Sequence, residues 1–296
     1  MWCQLPKAES PPVATDSPVP DAIAALVRVA HPSWHAILAR GLQGVADADP
    51  GYLPGLLKAP YLPTAGRLFA AFAQPLAAVR YVLVGEGPYP RAASATGVCF
   101  MDGAVGSLWA PTGLSKQVNR ATSLRNFMKM LLVTEGRLHP ERTSGDALMS
   151  IGSAAVTGSC GSIGSLAQLQ DNLLRHGFLL LNAALAFRPD VPPIREARGW
   201  QPFLRSVLAA LAQYAEAAGQ APPTLVLWGK IAAQVDTLPE SAGFPKAVAE
   251  HPYNLSFIGN QEMQALFGPM HLLAVASPAS VAGAVQAASM INSLVK

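Results

Sequence analysis

Three short segments of this chain each follow an apolar run: Gly85–Pro90 (GEGPYP), Leu179–Asn182 (LLLN) and His251–Ser256 (HPYNLS). The runs Tyr81–Val84, Phe178–Leu181 and Ala247–Ala249 are short and bounded by turn residues, the pattern of buried strands. A Gly/Pro turn, an asparagine and a histidine therefore stand at strand ends. In an open parallel sheet, ligands bind outside the carboxyl edge of the strands. The three segments thus predict one shared pocket, whose contents decide the chemistry. No aspartate lies in the first segment, and its one acid is Glu86.

Several chemistries drop out on spacing. GEGPYP starts like a dinucleotide fingerprint, but Pro90 occupies the place of the third glycine, and no acidic residue closes a strand some 20 residues later. A P-loop and an HExxH pair are absent. GSCGSIG at 158–164 places no serine in the frame of a nucleophile elbow. Cys3, Cys99 and Cys160 make no CxxC pair, no zinc spacing and no even disulfide framework. The expectation is a reduced, cytoplasmic protein with no metal and no cofactor. Neither a signal peptide nor an apolar run of about 20 residues is seen, so no membrane partner is expected.

The elements that must hold this pocket follow from periodicity. The 296 residues are 51% hydrophobic and 13% charged, enough for a sizeable core. Strands are predicted over Tyr81–Gly85, Phe178–Leu181, Thr224–Trp228 and Ala247–Ala249. Helices are predicted over Ala22–Val29 capped by Asp21, Ser33–Arg40 capped by Ser33 and stopped by Gly41, and Ser123–Val133 capped by Ser123. Further helices cover Leu166–His176, ended by Gly177, and Gln201–Ala218, with Pro202 in its first turn. Others start at Ile231 and span Val281–Val295. Ser144–Ser165 reads as a mobile loop. Residues 1–20 read as a disordered proline-rich arm, and 21–296 as one domain. This order predicts an α/β fold, a three-layer α/β/α sandwich around a central four-stranded parallel sheet.

The net charge of +3 is unevenly spread. Between Leu114 and Arg142, Lys116, Arg120, Arg125, Lys129, Arg137 and Arg142 stand against Glu135 and Glu141, a local +4. Clustered cations suit a phosphate backbone, and a solvated helix face fits the charge alone equally well.

At these segments the chain resembles the uracil-DNA glycosylase superfamily, most closely its first family. That family's GQDPYH aligns with Gly85–Pro90, its AHGLxF with Ala95–Phe100, and its LLLN with Leu179–Asn182. Its ERGW, LLWG and HPSPLS resemble Ala197–Trp200, Val226–Gly229 and His251–Ser256. Order and approximate spacing agree from Ser33 to Leu273. The resemblance implies base-excision repair, in which a uracil leaves the DNA stack, enters a pocket and loses its N-glycosidic bond. It implies that Asn182 pairs with uracil O4 and N3–H, and that Phe100 stacks on the base. Tyr89 would exclude a thymine methyl. The backbone of Gly85, Glu86 and Gly87 would line the site, with N–H groups at Glu86 and Gly87 meeting uracil O2. His251 would donate to the same oxygen as charge develops on it. Leu255 would wedge into the duplex, and Ser123 and Ser256 would hold DNA phosphates. The partner implied is uracil-containing or damaged DNA, bound by a monomer that needs no cofactor.

The pattern breaks at two positions. The family's catalytic aspartate falls at Gly87 and the histidine of its first motif at Pro90. Glu86 is the adjacent acid, as in some other branches of the superfamily; Asp102 and Glu250 are further candidates. Neighbouring residues of an extended turn point apart, so Glu86 would need a backbone shift, which Gly87 permits. Two functions stay open. One is a uracil-DNA glycosylase with a rebuilt acid step, carried by His251 and Glu86. The other is a weak or inactive binder of uracil-containing or damaged DNA.

Overall fold

The computed structural model describes residues 18–275. Its strands are β1 (Tyr81–Gly85), the hairpin β2 (Trp109–Ala110) and β3 (Gly113–Leu114), then β4 (Phe178–Asn182), β5 (Thr224–Trp228) and β6 (Lys246–Ala249). The helices are α1 (Asp21–Ala24), α2 (His35–Ala48), α3 (Tyr52–Leu57), α4 (Lys116–Arg120), α5 (Thr122–Thr134), α6 (Asp146–Val156), α7 (Leu166–Arg175), α8 (Pro193–Ala217), α9 (Ile231–Asp236) and α10 (Gln261–Phe267).

Four strands form one all-parallel sheet in the order β4-β1-β5-β6. Successive side chains on a strand face opposite ways, and the two cores divide accordingly. Val82, Val84, Leu179, Leu181, Leu225 and Leu227 face α2, α8 and α9. Leu83, Phe178, Leu180, Val226 and Trp228 face α5, α6, α7 and α10. The fold is the expected three-layer α/β/α sandwich. After β1 the chain adds β4 on one side and then crosses to β5 on the other, so the order reverses at β1. Such a switch point opens a crevice at the carboxyl edge.

Several local expectations need correction. Asp21 is the first helical residue and not a cap; Pro20 precedes it. The second helix does not stop at Gly41. It starts with a 3-10 turn at Pro32–Trp34 and continues as α2 to Ala48. Gly41 lies where α2 crosses α8: a Cβ there would stand 2.7 Å from Cδ2 of Phe203. The Ser33 hydroxyl accepts from the Leu76 N–H at 2.9 Å, tying down the next segment instead of capping a helix. Ser123 sits inside the first turn of α5, whose N-cap Ala121 has no side-chain bond. Helix α8 begins at Pro193 and not at Gln201, so Pro202 is interior to it.

The 144–165 stretch is not a mobile loop. It contains α6, whose Leu148, Ile151 and Ala155 are buried. Gly152 lets α6 lie against the hairpin, since a Cβ there would be 2.5 Å from the Gly113 Cα. Small residues here serve close packing, which composition alone does not distinguish from a linker. Ser165 then starts α7 with a capping box to Gln168. Residues 1–17 of the expected arm, and the expected closing helix Val281–Val295, lie outside the described residues. Within the remainder of the arm, Val19 is buried.

Candidate active site

The carboxyl ends of β1, β4 and β5 and the turn after β6 enclose a cavity of about 210 Å³. Gly85, Glu86, Gly87, Tyr89, Phe100, Ser123, Asn182, Trp228 and His251 line it. Pockets for drug-sized ligands hold roughly 300–1,000 Å³, so this one suits a single ring more than a whole nucleotide. The three segments singled out from sequence do meet.

Its floor is set by the pairing of β1 with β4, which places Gly85 level with Asn182. A Cβ on Gly85 would lie 2.4 Å from the Cys99 Sγ and 3.0 Å from the Asn182 Oδ1, so only glycine admits this approach. Asn182 is 5% exposed. Its amide makes no hydrogen bond within the described residues and opens on the cavity. It is poised for a ligand that presents both a donor and an acceptor, and it does not cap its strand.

The wall is aromatic. Phe100 adopts a left-handed backbone (φ 67), a conformation costly for an aromatic residue. Its ring packs edge-to-face on Phe127 and Trp228, each with centroids 5.3 Å away. The Thr96 hydroxyl donates to the Met101 carbonyl at 2.9 Å and holds the turn. Tyr89 is half-buried, and burial raises the pKa of its hydroxyl, keeping it neutral.

His251 stands at the opening, on the turn that follows β6. The Tyr253 N–H donates to its Nδ1 at 3.1 Å. That bond requires an unprotonated Nδ1, which leaves the ring proton on Nε2. Partial burial lowers the His251 pKa, and the charge of Glu86 opposes this. The neutral imidazole is thus held as an Nε2–H donor. Asn126 on α5 supports the same turn: its Nδ2 donates to the carbonyls of Pro252, Tyr253 and Asn254 at 2.8, 3.2 and 3.3 Å. Ser123 lines the cavity, whereas Leu255 and Ser256 do not and are exposed on the same turn.

Among the candidate acids, Glu86 is exposed and lines the cavity, close enough for its charge to act on His251. Asp102 is buried outside the cavity, accepting from the Ala104 N–H at 2.9 Å. Glu250 accepts from Asn260 at 3.0 Å and is likewise not in the lining. Gly87 has room: a Cβ there would meet Ala184 at an ordinary 3.5 Å.

The basic segment does not form a continuous surface stripe. Lys129 is buried, and Arg137 bonds Glu135 at 3.3 Å and the Ser162 hydroxyl at 2.9 Å. Asn126, Thr96 and Trp228 were missed as site-building residues. An asparagine among the apolar core positions of a helix was the available signal for Asn126. Among the described residues, no group of His, Cys, Asp and Glu is placed to hold a metal, and no helix is long and apolar enough to cross a membrane.

No family model matches the chain. It is 27% identical over 238 residues to the uracil-DNA glycosylase of Mycobacterium avium (strain 104), covering 78% of this chain and 84% of the relative. It is 28% identical over 197 residues to that of Thermobifida fusca (strain YX), covering 66% of this chain and 67% of the relative. Among solved structures, it is 37% identical to the wild-type UNG of Nitratifractor salsuginis, with a TM-score of 0.76 over 86% of this chain and 96% of that one. This identity extends over nearly the whole of the solved relative and agrees with a base-sized cavity at the switch point. The chain belongs to the uracil-DNA glycosylase superfamily.

Proposed function

We propose that the protein excises uracil from DNA, hydrolysing the N-glycosidic bond of a nucleotide flipped into the cavity. The observation that carries this reading is the tautomer of His251, fixed by the Tyr253 N–H. As the bond between C1′ and N1 breaks, its electron pair moves to the base and negative charge collects on O2. A preorganised Nε2–H donor at that oxygen stabilises the transition state more than the ground state. A protein that only bound uracil would not need it. Asn182 supports uracil as the base, because one amide can accept from N3–H and donate to O4. Phe100 offers the stacking face, and Tyr89 is the wall toward the 5-position.

Glu86 is the group proposed to face the cationic sugar and to take the proton of the water that adds at C1′. Ser123, Leu255 and Ser256 are proposed to contact the DNA strand. We place the protein in the cytoplasm as a monomer, in keeping with its cysteine usage and its resemblance.

Single-turnover excision from an oligonucleotide with one uracil tests the reading, with wild type beside Glu86→Gln and His251→Ala. Product lost in both variants supports both roles. Product that survives Glu86→Gln removes that role and leaves the enzyme. The vacancy of the family's acid at Gly87 favours one second reading, a uracil reader without chemistry. No product, together with tighter binding of uracil DNA than of thymine DNA, would establish that reading instead.

A further inference from the structure

The turn between His251 and Leu255 carries a feature the excision reading does not use. Tyr253 is 67% exposed, as is Leu255 two residues on. The Tyr253 ring has no aromatic neighbour among the described residues, and its hydroxyl makes no hydrogen bond there. Single exposed apolar side chains are ordinary, but here two large ones stand together on one short turn. The frame is rigid: the carbonyls of Pro252, Tyr253 and Asn254 all bond Asn126, which is itself fully buried.

We propose that Tyr253 is a base-stacking residue, packing on the base next to the extruded nucleotide while Leu255 fills the space that nucleotide leaves. The inference rests on the excision reading for its partner, DNA. Three observations favour a nucleobase as occupant. Tyr253 lies two residues from His251, whose cavity takes one ring, so the strand entering that cavity must pass this turn. Asn254 between the two side chains is extended (φ −78, ψ 140). Across this one extended residue the step from Tyr253 to Leu255 is roughly 6–7 Å, about two steps of a base stack at some 3.4 Å each, which leaves room for one base between the two side chains. Finally, an aromatic face accepts any base, whereas the cavity selects one. Specificity and grip are then divided between Asn182 inside and Tyr253 outside. The ring is presented from a backbone already fixed, so little ordering cost falls on binding.

The test uses DNA with a stable abasic analogue and 2-aminopurine beside it, titrated with wild type, Tyr253→Phe and Tyr253→Ala. Wild type and Tyr253→Phe are expected to quench the fluorophore and to bind alike. Tyr253→Ala is expected to lose the quench and to bind about five- to a hundredfold more weakly. Thermal midpoints of all three should differ little, because the side chain is mostly exposed. A Tyr253→Ala variant that binds and quenches like wild type would overturn the proposal and leave the patch to a protein partner. The probe contains no uracil, so the two readings fail separately. Quenching by a wild type that excises no uracil would sink excision and support stacking.

Discussion

The Tyr253 N–H donates to the Nδ1 of His251 over 3.1 Å, and so one backbone amide decides which ring nitrogen carries the proton. The bond lasts only while the ring is neutral, since the imidazolium has a proton on both nitrogens. Burial, by lowering the His251 pKa, works in the same direction.

A pH dependence follows with a definite sign. The folded His251 binds its proton less readily than the unfolded one, whose pKa is about 6.5. The single-turnover rate should therefore stay level from neutral pH down to that value and fall on its acid side. Stability should also decline there, because the unfolded chain takes up the proton more readily. His251→Gln should lose this acid limb and about 10²–10³-fold of the rate. An acid limb unchanged in His251→Gln would assign it to another group.

Gly87 can test the missing acid directly. A Cβ there meets Ala184 at an ordinary 3.5 Å, so Gly87→Asp should fold with little loss. By the motif resemblance, its carboxylate would take the position of the family's aspartate. Single-turnover excision should rise by about tenfold or more, in the range of a well-placed catalytic group. An unchanged rate would show that Glu86 already fills the role or that chemistry is not limiting.

Gly85 should tolerate no side chain. The Cβ of Gly85→Ala would stand 2.4 Å from the Cys99 Sγ and 3.0 Å from the Asn182 Oδ1. Displacing a packed core side chain costs about 1–3 kcal/mol. Melting would show the loss, and excision measured on the folded protein should fall as well, because the same contact shifts the base-reading amide. Gly87→Ala is the control expected to be mild.

Asn126 touches no substrate in the proposed complex, yet it should matter through the turn. Asn126→Ala removes the partner of three carbonyls and should cost about 1–3 kcal/mol. Loosening the turn frees the Tyr253 amide from Nδ1. Nitrogen NMR of His251 should then show mixed tautomers in the variant and a single Nε2–H form in wild type. A single tautomer in both would confine Asn126 to stability.

The site was largely legible in the sequence because its residues sit at the ends of strands. An apolar run of four or five residues announces a strand, and topology sends strand ends to one edge. Asn182 and His251 could thus be placed together although 69 positions separate them. Helices were read less well wherever glycine or serine had a tertiary use. Gly41 reads as a stop and serves instead as the contact of α2 with Phe203. The serine- and glycine-rich 144–165 stretch reads as a loop, yet it holds a helix whose Gly152 lies on a hairpin backbone.

The sequence by itself determined the four strands of the parallel sheet and the segments at their carboxyl ends that share one cavity. These depend on local periodicity and on residues at fixed offsets from strand ends. Only the tertiary structure decided the state of those side chains. The proton on His251 depends on an amide two residues away whose carbonyl bonds Asn126, 127 positions earlier in the chain. The unpaired amide of Asn182, the exposed ring of Tyr253 and the pairing of Asp102 and Glu250 outside the cavity likewise follow from which groups the packing pairs and which it leaves without partners. That is a property of the assembled neighbourhood, which no local spacing encodes.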